Sequence, residues 1–140
     1  MQDGTIKHME FVQAIVTRMG GNSFLLKGWT VTLTAALFAL AAKDSNSRFV
    51  VVAILPAFSF WGLDAYYLRQ ERLFRCLYDD LRLVSDDGPH SVEPFSLSTA
   101  KYAGEARSWF RTLWEPTILA VHGIIVAAIV AVLAVAYFVR

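Results

Sequence analysis

The sequence predicts an all-α integral membrane protein. It has three transmembrane helices, an N-terminal amphipathic helix and a cytoplasmic helical hairpin extending from the second and third spans. Three observations lead there. Of 140 residues, 56% are hydrophobic and only 18% charged, with a mean hydropathy of +0.44, whereas soluble domains carry about a quarter charged residues. Charge nearly vanishes from three windows: 24–42 holds only Lys27, 49–67 only Asp64, and 117–139 none. Each window approaches the roughly 20 residues that a helix rising about 1.5 Å per residue needs to cross about 30 Å of hydrocarbon. Their apolarity is continuous, which excludes the alternating strands of a membrane barrel.

Residues 1–23 form the N-terminal element. Phe11, Val12, Ile15, Val16 and Met19 recur at helical spacing while Glu10, Gln13, Thr17 and Arg18 point elsewhere, the pattern of an amphipathic helix. Gly20 and Gly21 are expected to end it, with Asn22 or Ser23 capping the next helix. The arm packs on the protein's own cytoplasmic helices, lies in the lipid interface, or moves as a gate element.

The first span, 24–42, is rich in small residues, among them Gly28, Thr30 and Thr34. Membrane helices gain little from hydrophobicity when they associate, so close backbone approach has to supply the attraction. These three are assigned to a packing face, within the chain or between copies. A cleavable signal peptide ending near Ala39 and Ala41 is the competing reading; the long, weakly basic stretch before the window argues against it.

A short outer loop, 43–48, precedes the second span, 49–67, in which Pro56 is expected to kink the helix. Between Gly62 and Val84 there is no proline and no further glycine, so the helix should leave the membrane near Tyr66 and Tyr67 and continue for about four turns. Leu63, Tyr67, Gln70, Phe74, Leu77, Leu81 and Val84 follow alternating spacings of four and three, a coiled-coil-like seam. In the intervening positions, Glu71 and Arg75 form a favourable helix pair.

Residues 68–116 make the hairpin. "SDDGPHSVEP" at 85–94 supplies the break, and "STAKYAGEARSWFRTLW" is expected to be a second amphipathic helix with Tyr102, Ala106, Trp109, Phe110 and Leu113 on its apolar face. Tyr66, Trp109 and Trp114 are assigned as membrane-interface anchors, with Arg107 and Arg111 snorkelling. Pro116 suits a first helical turn, and the last span, 117–139, ends on Tyr137 and Arg140.

Basic residues orient the chain, since they are retained on the cytoplasmic side. Lys7, Arg18, Arg69, Arg72, Arg75, Arg82, Lys101, Arg107 and Arg111 lie on one side and Lys43, Arg48 and Arg140 on the other. The N-terminus and the long loop are therefore expected in the cytoplasm and the C-terminus in the periplasm or outside.

In that orientation Lys27, Asp64 and His122 share one depth. Ionisable groups in membrane helices pair or face a cavity, so the three form an intramembrane polar layer. The layer is either a structural ion pair with a register-fixing histidine or the rim of a pore mouth or proton-sensitive latch, because histidine titrates near neutrality.

No catalytic residue, cofactor site or metal site is expected. The three histidines are scattered, and His-Glu-x-x-His, paired cysteines and a phosphate-binding glycine loop are all missing. Cys76, the single cysteine, excludes an intrachain disulfide; it reads as packing, with lipidation or oxidation as the alternative. A net charge of +1 gives no case for nucleic acid. The expected partners are membrane lipid, further copies of the chain, and a cytoplasmic protein or small-molecule signal.

"NSFLLKGW" at 22–29 and the segment from Phe60 to Arg82, within a match over most of the chain, resemble a family of small bacterial inner-membrane proteins. Residues 85–97 resemble it least. Members look like the membrane component of anti-phage or stress operons, sometimes near signalling enzymes with Toll/interleukin-receptor-like folds. The resemblance implies an effector in the bacterial inner membrane and assigns no catalytic residue. Two functions follow as expectations: a homo-oligomeric, channel-like effector, or a membrane-anchored helical module that recruits a soluble partner without conducting.

Overall fold

The structure, a computed structural model, describes residues 3–44, 46, 48–83 and 92–138. The elements are α1 (Asp3–Asp44), α2 (Arg48–Val52), α3 (Ile54–Leu83), a 3₁₀ turn (Ala100–Tyr102), α4 (Trp109–Thr112) and α5 (Pro116–Phe138). The described residues include no strand. Three helical rods are long and apolar enough to cross a membrane: α1, α2 with α3, and α5.

The N-terminal arm and the first span are one helix of 42 residues, about 63 Å long at the α-helical rise. The expected break at Gly20 and Gly21 does not occur, and neither glycine takes a positive φ. The buried stripe explains why. His8, Val12, Val16, Ser23, Thr30 and Thr34 are buried, and with Gly20 between Val16 and Ser23 the stripe holds its phase through the glycine pair. A Cβ at Gly20 would stand 3.4 Å from Glu71 Oε2, so Gly20 belongs to the contact with α3. Each mid-helix glycine costs about 1 kcal/mol, and the packing of Val12 and Val16 on Leu73, Leu77 and Leu81 outweighs it.

The second rod is interrupted at Ala53 between α2 and α3. Proline 56 has no N–H to offer Val52 and its ring crowds that carbonyl, and the chain loosens there. Ala53 N donates to both Phe49 O and Val50 O at 3.2 Å, and Ala57 N resumes the regular pattern to Ala53 O at 3.2 Å. Beyond this point α3 runs without a break past Tyr67 to Leu83.

The seam on α3 differs from the expected one in its first half. Leu77 and Leu81 are buried, Tyr67 and Phe74 are half-buried, and Leu63 is exposed. Ala57, Asp64, Ala65 and Leu73 are buried instead. A straight helix drifts relative to a strict heptad repeat, and α3 also has to face α5 as well as α1. Val84 and residues 85–91 of the break expected at 85–94 lie outside the described residues, as do Ser45, Ser47, Val139 and Arg140.

The second amphipathic helix expected at 98–114 is not formed, so there is no helical hairpin among the described residues. Tyr102 closes the 3₁₀ turn. Ser108, at φ −59° and ψ 153°, then starts α4 by accepting a hydrogen bond from Arg111 N through its side chain. An N-cap serine in the middle of the expected helix and a solvent-open Gly104 favour two short pieces over one long one. Phe110 consequently points outward, 66% exposed. α5 begins with Pro116 in its first turn, as expected, and Leu119 N donates to Glu115 O at 2.8 Å.

Two apolar clusters result. The proximal one, near the N-terminus, gathers Val12, Val16, Leu73, Leu77, Leu81 and Tyr102, with Cys76 half-buried against it. The distal one gathers Val50, Ala53, Ala57, Ile125 and Ile129. Between them along the helices lie Ser23, Lys27, Asp64 and His122.

Candidate functional site: a buried ionic cluster shared by three helices

Asp64 is fully buried, and each of its oxygens is engaged by another helix. Lys27 Nζ, on α1, donates to Oδ1 at 2.8 Å and lies 2.6 Å from Oδ2. The Ser23 hydroxyl, one turn earlier on α1, also donates to Oδ1, and Lys27 Nζ donates to Ser23 Oγ at 2.8 Å. On α5, His122 Nε2 lies 3.0 Å from Oδ2. Sequence reasoning placed Lys27, Asp64 and His122 at one depth, and the structure brings all three into contact.

Beside the ammonium of Lys27 the carboxylate is an acceptor, so the imidazole donates from Nε2. That leaves Nδ1, which is buried without a hydrogen-bond partner, as the bare ring nitrogen. The ring is sandwiched on one face by Trp61 of α3, with centroids 6.2 Å apart and planes 5° from parallel. Trp61 is fixed in turn by its indole N–H, which donates to Leu113 O at 3.0 Å. Among the described residues, no acceptor lies within hydrogen-bond reach of His122 Nδ1.

The sequence points to neither Ser23 nor Trp61 as a member of this cluster. Ser23 stands four residues before Lys27 and Trp61 three before Asp64, spacings that share a helix face. The serine was hidden by the expectation that it capped a helix, which vanished with the glycine break.

The assigned packing face divides. Thr30 and Thr34 are buried, whereas Gly28 is exposed and open space surrounds it. The Thr30 hydroxyl donates back to Leu26 O of its own helix at 2.7 Å and Thr34 Oγ1 is buried without a partner, so the two threonines pack inside the chain without hydrogen-bonding α1 to a neighbouring helix. Tyr66, Trp109 and Trp114, assigned as interface anchors, are all exposed. Arg107 does not simply extend outward: its guanidinium shares Glu115 with Arg72, each at 3.0 Å.

At the proximal end a second polar group clamps the 92–108 segment to α3. Tyr102 Oη donates to Asp80 Oδ2 at 2.7 Å and Lys101 Nζ lies 2.6 Å from the same oxygen. Lys101 and Tyr102 hold the Asp80 carboxyl below its ordinary range, and burial, reinforced by the bond to Asp80, raises the Tyr102 hydroxyl. Arg72 likewise lowers Glu115. His8 Nε2, buried on α1, donates to Ser96 O at 2.8 Å and stacks on Phe95 with centroids 5.8 Å apart. The Cys76 thiol is raised by burial and by Glu105, which makes it a poor nucleophile.

The described residues contain no group of three side chains fit to hold a metal ion. No family model, curated protein or solved structure matches the chain.

Proposed function

We propose that the protein is a homo-oligomeric effector of a bacterial inner membrane, with its N-terminus in the cytoplasm, that perturbs membrane integrity in response to a cytoplasmic signal. The Asp64 cluster is its latch. The observation that carries this reading is the burial of one carboxylate with partners from both other membrane-length helices. An ionised group in hydrocarbon is expensive unless fully paired, so release of any one partner favours rearrangement of all three helices. His122, whose Nδ1 has no acceptor in the packed state, supplies a proton-sensitive route to that release.

Oligomerisation is supported by the exposed face of α1. Gly28, Thr32, Ala35, Ala36 and Ala39 all face outward at spacings that let a second helix approach closely. Three packed helices enclose no path for water, so a leak requires several copies.

The test pairs two measurements on the reconstituted protein: mass in lipid nanodiscs, and potassium efflux from vesicles held at neutral and acidic pH. A multimer whose efflux rises on acidification, and is already open at neutrality in Asp64→Ala, supports the reading. A monomer, or an efflux indifferent to Asp64→Ala and His122→Ala, rejects it. A second reading, a membrane-anchored module recruiting a soluble protein, is favoured by a groove of about 400 Å³ at the proximal end, lined by Ile6, Met9, Glu10, Gln13 and Tyr78. A monomer that conducts nothing fits that alternative.

A further inference from the structure

An aromatic crevice of about 240 Å³ lies where α3 meets the segment leading into α5, lined by Phe58, Trp61, Gly62, Trp109, Leu113 and Trp114. It is a built feature. Trp109 Nε1 donates to Gly62 O at 2.9 Å and Trp61 Nε1 to Leu113 O at 3.0 Å, so two indoles spend their only donors on the walls and turn carbon faces inward. Trp114 meets Trp61 edge-on at 5.9 Å, and Phe58 stacks on Trp61 at the same distance. Gly62 keeps the crevice open, since a Cβ there would already touch Trp109 Cζ2 at 3.4 Å.

The two ends of the crevice differ chemically. Phe58 lies six residues before Asp64, inside the apolar window, whereas Trp109 and Trp114 flank the start of α5. Beside Trp114, Glu115 holds Arg72 and Arg107, and exposed Arg111 lies on α4 between Trp109 and Leu113. Arg69 Nε donates to Arg107 O at 3.2 Å, and the Arg111 guanidinium has no acidic partner among the described residues.

We propose that this crevice is a binding site for an anionic phospholipid of the cytoplasmic leaflet, with an acyl chain along Phe58, Trp61 and Trp114 and the phosphate on Arg111 and Arg107. The inference rests on the membrane placement and orientation argued above. A hydrocarbon chain needs only the aromatic walls. The surplus of guanidinium at the mouth matches a headgroup with net negative charge, because basic side chains at a membrane surface favour anionic lipid. Trp61 is both a wall of this crevice and the ring stacked on His122, so an occupant touches a residue that touches the latch.

Tryptophan quenching by brominated acyl chains tests the proposal. Trp29, on α1, is replaced in a Trp29→Phe background so that the signal comes from the crevice. The protein is placed in phosphatidylcholine vesicles carrying a minority of either brominated phosphatidylglycerol or brominated phosphatidylcholine. The brominated anionic lipid is expected to quench at several-fold lower fraction, with about a fivefold preference contributed per engaged arginine.

Arg111→Gln reduces that preference, and Gly62→Leu, which fills the crevice, abolishes it. Arg82→Gln, near the end of α3, leaves it unchanged. Equal quenching by both lipids, or a preference lost as much in Arg82→Gln as in Arg111→Gln, overturns the site while leaving membrane insertion intact. Quenching by neither lipid overturns insertion itself and the site with it.

Discussion

Lys27 Nζ on α1 stands 2.6 Å from Asp64 Oδ2 on α3, and the same oxygen lies 3.0 Å from His122 Nε2 on α5. One carboxylate thereby joins all three membrane-length helices at a single level. The Asp64 and His122 side chains are fully buried there, while about a fifth of the Lys27 side chain remains exposed.

Removing that carboxylate strands a cation. Asp64→Leu leaves Lys27 without its counter-ion and His122 without its acceptor, and is expected to cost about 3–5 kcal/mol, the usual penalty for breaking one side of a buried pair. The double substitution Lys27→Met with Asp64→Leu should recover most of the loss. Thermal unfolding in detergent micelles compares the two.

The glycine pair offers a test of opposite sign. Gly21 is inside a continuous helix with open space where a Cβ would sit and without a positive φ. Gly21→Ala is therefore expected to stabilise by about 0.5–1 kcal/mol, the mid-helix difference between the two residues. If a C-cap at this position ended the helix, the same substitution would destabilise. The unfolding midpoint in micelles distinguishes the two.

Leu77 and Leu63 were both placed on the expected seam, yet only Leu77 is buried. Leu77→Ala should cost about 2–5 kcal/mol through lost burial and a residual cavity, while Leu63→Ala, at an exposed site, should fall within about 0.5 kcal/mol of the parent. Paired unfolding curves in micelles check the contrast.

The proximal clamp carries its own pH limits. Asp80 is lowered from its ordinary 3.8, so its contribution is present above that value and is lost as pH falls through the lowered one. Tyr102 is raised from 10.0; its contribution is present below that value and lost as pH rises through the raised one. Cys76, packed against the same cluster, reports on it. Labelling by a dithiodipyridine reagent, which attacks thiols in acid, should stay slow through neutrality and accelerate in strong acid. Tyr102→Phe, which removes a bond worth about 1 kcal/mol, should accelerate it already at neutrality.

Those parts of the fold governed by composition were legible in the sequence. Long apolar windows and a proline-free stretch after Tyr67 lead directly to three membrane-length helices and an extended α3. Lys27, Asp64 and His122 could be brought together because each is the lone Asp, Glu, Lys, Arg or His of its window and the depths agree. What sequence reading missed was decided by contacts between helices. Gly20 and Gly21 look like a stop until Val12 and Val16 are seen against Leu73 and Leu77. Residues 98–114 look like an amphipathic helix until Ser108 caps a new one and Tyr102 is drawn to Asp80. Ser23 was lost with the false break, although its place one turn before Lys27 was the available signal.

The proposed latch requires Asp64 to accept from His122 Nε2 in the bilayer, with Nδ1 bare. Solid-state NMR of ¹⁵N-histidine-labelled protein in lipid bilayers at neutral pH measures this directly. The predicted result is a His122 ring protonated at Nε2 alone, with a through-space correlation from that proton to the Asp64 carboxylate. A doubly protonated ring exchanging with water, or no contact to Asp64, would contradict it.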